Sequence, residues 1–222
     1  MGNPKRKFKT KYTIQGGMLM AVFCYKITRD YGFAPNPFYS YCTLATCKPD
    51  IRRKAKVGDW VIGFGSAQKG SEYAGRIIYI MKVTQKMTFD EYWNASEFQC
   101  KKPVMNGSRK QIYGDNIYHK VNGKWKQEDS HHSKYGGEEN KLNLDRDTSA
   151  DCVLISSRFW YFGKLAIKAP KELKSIIPDC RNYICNGEDE LIEKFVSTLE
   201  ENGYIGEPIK LWEDKPSRYD GK

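Results

Sequence analysis

The chain of 222 residues predicts an α+β fold: a small, partly closed β-barrel with peripheral helices and a C-terminal amphipathic helix. Three observations carry that expectation. Short apolar runs over 60–64 and from Tyr73 onward have strand length and are separated by a turn of small residues. Asn122-Gly123 lies between two further short runs and is the strongest short-range hairpin signal. Leu191, Ile192, Phe195, Val196 and Leu199 recur at helical spacing, and Asn202-Gly203 closes that helix.

The elements follow in chain order. Residues 1–16 form a polar, basic arm, and 18–27 read as a buried first strand. The segment 30–38, DYGFAPNPF, is a rigid loop, because Pro35 and Pro37 fix φ and restrict the residue before each. Residues 42–56 predict a short helix interrupted at Pro49. Asp50 caps its second part, and Arg52, Arg53, Lys54 and Lys56 lie on its exposed side. Gly58-Asp59 turns the chain tightly into the strand 60–64, which delivers it to Gly65-Ser66, where a ligand could approach bare backbone. Thr88 caps a short helix, FDEYWNA, and 115–127 form the hairpin. A polar loop spans 130–140, strands cover 153–155 and 159–167, and the amphipathic helix covers 189–201. The last stretch, WEDKPSRYDGK, reads as frayed. The domain organisation is a basic flexible arm (1–16), one domain (17–170) and a C-terminal helical extension (171–222). No internal repeat is present.

Charge narrows the function classes. The formal net charge is +10, and residues 1–70 carry 13 Lys/Arg against 3 Asp/Glu while the remainder balances. Concentrated cations of this kind attract phosphates. Seven cysteines, an odd number without dense spacing, point to a reducing, cytoplasmic compartment. The apolar run after Met18 enters Lys26 and Arg29 with no small-residue cleavage site, so it is not read as a signal peptide. No stretch approaches the ~20 apolar residues of a membrane span.

Several motifs bear on chemistry. The run from Gly65 to Ser71 lacks the lysine of a phosphate-cradling P-loop and no long helix follows, which excludes a nucleotide hydrolase of that kind. Cys42-x4-Cys47 and Cys180-x4-Cys185 could supply four thiolates to zinc, but neither pair has the C-x2-C spacing, and free thiols are the preferred reading, with no metal and no cofactor. His131 and His132 are adjacent, so on an extended strand they would point apart; in a loop one of them could serve as a proton donor or ligand contact. Asn116 could bond a base edge, and Tyr118 would share its strand face. Phe159, Trp160, Tyr161 and Phe162 are four consecutive aromatics. On a strand with one buried face, two of them would point elsewhere and be free to stack on a base.

A family resemblance rests on APNPF (34–38), CTLATCKPDIRRKAKVGDWVIGFGS (42–66), AGRIIYIMKVT (74–84), EYW (91–93), KKP (101–103), GDNIY (114–118), the Trp125, Gln127 and Ser-His-His pattern ending at 132, and VLISSRFWYFG (153–163). In this order these segments resemble the nucleotide modification associated domain 2 family, whose name comes from gene neighbourhoods linked to modified bases in DNA. The GDWVIGFGS…AGRIIYIMKVT unit is more loosely similar to EVE, ASCH and other PUA-like domains, in which a small barrel binds RNA or takes a modified base into a pocket. That likeness implies that Trp60, Ser66 and the strand from Tyr73 lie beside such a pocket.

The expected function is therefore recognition of a modified base or nucleotide in nucleic acid, with DNA favoured and no membrane partner. In this reading Arg52 and Arg53 contact phosphates, Asn36, Asn116 and Tyr118 contact the base edge, Ser66 adds a hydrogen bond, and Trp60 or Tyr161 stacks. The alternative is an enzyme acting on a nucleotide or modified base. There Asp115, His131 or Cys47 would supply acid, base or nucleophile, and Lys48 would stabilise negative charge.

Overall fold

Strand β1 (Val22–Ile27) sends Phe23, Tyr25 and Ile27 into one apolar cluster and Val22 and Cys24 into another. This period-two alternation means that the sheet is covered on both faces. The molecule is seen here in a computed structural model that describes residues 20–180, 182–199, 202–213 and 216–221. The basic arm expected over 1–16 lies outside the described residues.

The strands that follow are β2 (Cys42–Leu44), β3 (Trp60–Gly65), β4 (Arg76–Lys82), β5 (Gln85–Met87), β6 (Tyr118–Val121), β7 (Lys124–Gln127), β8 (Val153–Ser156), β9 (Arg158–Tyr161), β10 (Ile167–Lys168), β11 (Tyr183–Asn186) and β12 (Gly203–Tyr204). The helices are α1 (Pro49–Lys54), α2 (Phe89–Asn94), α3 (Arg109–Ile112), α4 (Lys141–Thr148) and α5 (Asp189–Val196). The main sheet has the order β11-β1-β3-β4-β9-β12, with β10 added to β4; β2-β8-β5 form a smaller sheet and β6-β7 a hairpin. The fold is thus α+β. Among the described residues the main sheet runs from one edge strand to the other without returning, and no closed barrel forms.

β1 and β3 are parallel neighbours, in register from Val22 opposite Trp60 to Ile27 opposite Gly65. Their carboxyl ends therefore open at the same end of the sheet. Antiparallel β4 follows β3, with a bulge between Gly63 and Phe64. On one face of the sheet Val61, Tyr79, Met81 and Tyr161 pack against Leu44 and Leu154 of the small sheet. On the other, Trp60, Ile62, Ile80 and Trp160 pack against Ile192 and Val196 of α5.

The two-sided core corrects several expectations. All four residues from Phe159 to Phe162 are buried, alternating between the two clusters, so none is left over for stacking. Residues 42–44 form a strand instead of the start of a helix, and α1 begins at Pro49, where the missing N–H costs nothing. Asp50 sits in the first turn of α1 and does not cap it; the N-cap is Lys48, in the left-handed region. Beyond residue 170, β11 pairs with β1 and β12 with β9 in the main sheet. Tyr219, in a stretch expected to be frayed, is docked, its N–H donating to His131 O at 2.8 Å. Two local signals hold as read. Thr88 and Glu91 form a reciprocal capping box on α2, and Asn122-Gly123 turns the β6-β7 hairpin with both residues at positive φ. Among the described residues no helix is long and apolar enough to cross a membrane.

Candidate functional site

The parallel pair delivers two chain ends to one place. Beyond the carboxyl ends of β1 and β3 lies a cavity of about 850 Å³, walled by 25–29, by 47–51 at the start of α1, by Ser66 to Gln68 after β3, and by His131, His132, Arg146, Tyr183 and Tyr219. Glycine at 65 is required by close approach: a Cβ there would lie 2.0 Å from the Tyr73 carbonyl oxygen. Lys26, Arg29, Lys48 and Arg146 supply positive charge, and Tyr25, Tyr31, Phe33, Tyr183 and Tyr219 supply rings. The Lys48 ammonium sits 4.8 Å from the centre of the Tyr25 ring, and the guanidinium groups of Arg29 and Arg146 lie 5.5 and 5.2 Å from that of Tyr219.

Three side chains meet at one wall of this cleft. Cys47 Sγ stands 3.8 Å from His132 Nε2, and His132 Nδ1 is 2.7 Å from Asp147 Oδ2. A carboxylate only accepts, so Nδ1 carries the hydrogen and Nε2 faces the sulfur. Asp147 Oδ1 accepts the Cys47 backbone N–H at 2.9 Å, and the Tyr118 hydroxyl donates to Oδ2 at 2.9 Å. One carboxylate thus fixes both the sulfur's backbone and the imidazole. Burial raises Asp147, but His132, Arg52 and Arg146 outweigh it and hold the carboxyl below its ordinary range. Burial likewise opposes charge on His132, yet Asp147 and Cys47 raise it to about 9. Neighbouring His131 moves the other way, to about 3, through burial and then the positive charge of His132. Its Nδ1 donates to the Ser217 carbonyl.

The backbone at the sulfur is unusual. Cys47 and Lys48 both have positive φ, 58° and 40°, in the left-handed region, where each non-glycine residue costs on the order of 1–3 kcal/mol. Arg52 opposes that strain. Its guanidinium donates to the carbonyls of Cys47 (2.8 Å), Ala150 (2.8 Å), Cys152 (2.6 Å) and Asp147 (2.5 Å), tying the Cys47 loop to the end of α4.

Cys47, His132 and Asp147 could in principle hold a metal, since their ligating atoms lie within 4.8 Å of one another. Metal sites of this ligand type use at least three protein ligands. Here Nδ1 is committed to Asp147, and only the sulfur and Nε2 face each other, so the arrangement fits proton transfer better than coordination.

The residues singled out from the sequence fall into three groups. Cys47, Lys48, Ser66 and His131 line the cleft. Tyr118 and Arg52 stand behind it, buried, and hold Asp147 and the Cys47 loop; Arg52 is 0% exposed and no phosphate can reach it. The others lie elsewhere. Arg53 pairs with Asp50 at 2.6 Å on the surface. Asn36 and Asp115 belong to a buried network in which Asn36 accepts from Lys101 Nζ at 2.8 Å and Asp115 accepts from Thr43 and Tyr92. Asn116 donates to Tyr92 O and Phe98 O. Trp60 and Tyr161 are core, with the Tyr161 hydroxyl bonded to Asp30. Asp147, Arg146 and Tyr219 carry no functional signal in the sequence. Nothing in the local pattern of LNLDRD separates Asp147 from Asp145, and only tertiary burial distinguishes them.

No curated protein and no solved structure matches the chain. The family model of the nucleotide modification associated domain 2 matches residues 19–215, which takes in every strand of the main sheet and every wall of the cleft but the end at Tyr219. The chain belongs to the nucleotide modification associated domain 2 family.

Proposed function

We propose that this protein binds a nucleotide or a modified base of nucleic acid, DNA foremost, in the cleft at the carboxyl ends of β1 and β3, as part of a nucleotide modification system. The observation that carries the reading is the convergence of Lys26, Arg29, Lys48 and Arg146 with the rings of Tyr25, Tyr183 and Tyr219 on one cavity. About 850 Å³ is within the range of small-molecule sites and accommodates a nucleotide. The cations meet the phosphate, and a tyrosine ring stacks on the base, a contact worth ~1–3 kcal/mol. The looser likeness to EVE and ASCH domains agrees with a base taken into a pocket, although the pocket residues differ from those the sequence favours: Arg29 and Arg146 replace Arg52 and Arg53 as the phosphate contacts.

The test is titration with thymidine monophosphate and with short single- and double-stranded DNA, plain and base-modified, at low and moderate salt. Binding should weaken with salt, and Arg29→Ala should weaken it and flatten the salt slope by about one charge. Absence of binding at low salt, or binding indifferent to both salt and Arg29→Ala, refutes the proposal.

A further inference from the structure

A cleft that only holds a base has no need of a thiol, an imidazole and a carboxylate in line. Resting on the nucleotide reading for the identity of the ligand, we infer that Cys47 is a catalytic nucleophile that cleaves an ester or amide group carried by the bound nucleotide or base, with His132 carrying the proton and Asp147 as the positioning residue.

The geometry separates Cys47 from the other thiols. Cys24 and Cys42 are buried in the core, and burial pushes both thiols up. Cys100, Cys180 and Cys185 are exposed, and Cys152, half-buried like Cys47, is pushed up by its burial. Cys47 alone combines partial exposure on a cavity wall with an imidazole nitrogen 3.8 Å from its sulfur and a carboxylate on the far side of that ring. It is held in left-handed backbone, by an Arg52 bond to its carbonyl and an Asp147 bond to its N–H. Strained backbone at a nucleophile, fixed from both sides, presents the side chain without freedom to turn away.

Such a relay moves one proton from the sulfur to a leaving group, which is the need of acyl transfer. The proton that Cys47 and His132 share stands on Nε2, beside the sulfur, while a carbon–sulfur bond forms at the substrate carbonyl. The carbon–nitrogen or carbon–oxygen bond then breaks, the leaving amine or alcohol takes the proton from Nε2, and a thioester remains on Cys47. Water adds to the thioester and gives a proton to Nε2. The carbon–sulfur bond breaks, the sulfur regains the proton, and a carboxylic acid departs. The sum is hydrolysis, with no oxidant or reductant. Lys48, next in the chain and lining the same cleft, supplies positive charge to the developing oxyanion.

The experiment uses the full chain. With limiting iodoacetamide, peptide mass mapping should find Cys47 alkylated roughly tenfold or more faster than the exposed Cys100, Cys180 and Cys185. His132→Gln should abolish that preference, and Asp147→Asn should narrow the pH range over which it holds, from its alkaline side. With p-nitrophenyl acetate the protein should release a burst of one p-nitrophenolate per chain and carry one acetyl group on Cys47, and Cys47→Ser should do neither. Alkylation of Cys47 no faster than the exposed thiols, or acetylation elsewhere without a burst, overturns the inference. So does stoichiometric zinc that protects Cys47. Thymidine monophosphate should slow the alkylation of Cys47. Fast alkylation and a burst without that protection would leave the triad standing and sink the nucleotide reading; protection without reactivity would do the reverse.

Discussion

Replacing His132 by glutamine should remove one of the two opposed pH dependences of stability that adjacent histidines create. His132 is raised from 6.5 to about 9 because Asp147 and Cys47 outweigh its burial. A base raised on folding stabilises the protein fully below its unfolded value, and that stabilisation is lost as pH climbs from about 6.5 through about 9. At roughly 1.4 kcal/mol per pH unit, the gap from 6.5 to about 9 corresponds to about 3 kcal/mol. His131 is lowered to about 3, so it stays neutral in the fold while the unfolded chain takes up a proton. Its effect is a loss of stability as pH falls below about 6.5. Other buried groups also titrate: Asp30 is raised to about 6 and Lys101 lowered to about 8, both chiefly by burial. Their contributions cancel when wild type and His132→Gln are compared at each pH. Urea unfolding from about pH 6 to about pH 9.5 should give a difference between the two proteins that is flat at the acid end and then shrinks by about 3 kcal/mol. A difference that is constant across that window would mean that His132 is not charged beside Asp147, and the relay would lose its electrostatic basis.

Further outcomes follow from the same geometry. Arg52→Met should destabilise by about 3–5 kcal/mol in urea unfolding, since it strands four carbonyls that the guanidinium satisfies, whereas Arg53→Ala on the surface should cost under about 0.5 kcal/mol. Equal losses would show that the strut reading is wrong. Gly65→Ala places a Cβ 2.0 Å from the Tyr73 carbonyl oxygen and should cost at least about 2 kcal/mol, with thymidine monophosphate binding weakened as Ser66 shifts; an unchanged melting temperature would refute the close approach. Lys48→Gly relieves a left-handed lysine at φ 40° and should raise stability by up to about 1 kcal/mol while weakening nucleotide affinity. A loss of stability would show that the strain is not there.

Local signals carried much of the fold and little of the site. The Thr88 capping box and the Asn122-Gly123 turn involve neighbours in sequence, and each forms; the amphipathic run after Asp189 forms α5 but stops at Val196, short of the expected 201, and Gly203, expected to close the helix, begins β12. Local signals do not suffice where a second layer decides. Residues 42–44 become a strand because β8 pairs with them, and the aromatics from Phe159 to Phe162 are all buried because the sheet is sandwiched. Cations on a predicted exposed helix face looked like phosphate ligands, yet Arg52 points inward, and nothing local to IRRK distinguishes it from Arg53.

The position of Arg52 explains why the site had to escape a linear reading. Cys47, His132 and Asp147 come from the loop before α1, the loop after β7 and the end of α4, with no two of them in one element. What unites them is a set of interactions that no spacing announces. Arg52 ties the carbonyls of Cys47 and Asp147 together, Tyr118 and the Cys47 N–H orient the Asp147 carboxylate, and the carbonyl of His132 accepts from Asn143 at 2.9 Å. A buried guanidinium is costly unless its donors are met, and here they are met by the backbone of two of the three segments. The same contacts that offset that cost therefore fix the relative positions of the sulfur and the carboxylate. Stability and chemical alignment share one residue, and a variant at Arg52 that still folds should lose the preferential alkylation of Cys47 even though Arg52 touches neither the sulfur nor the imidazole.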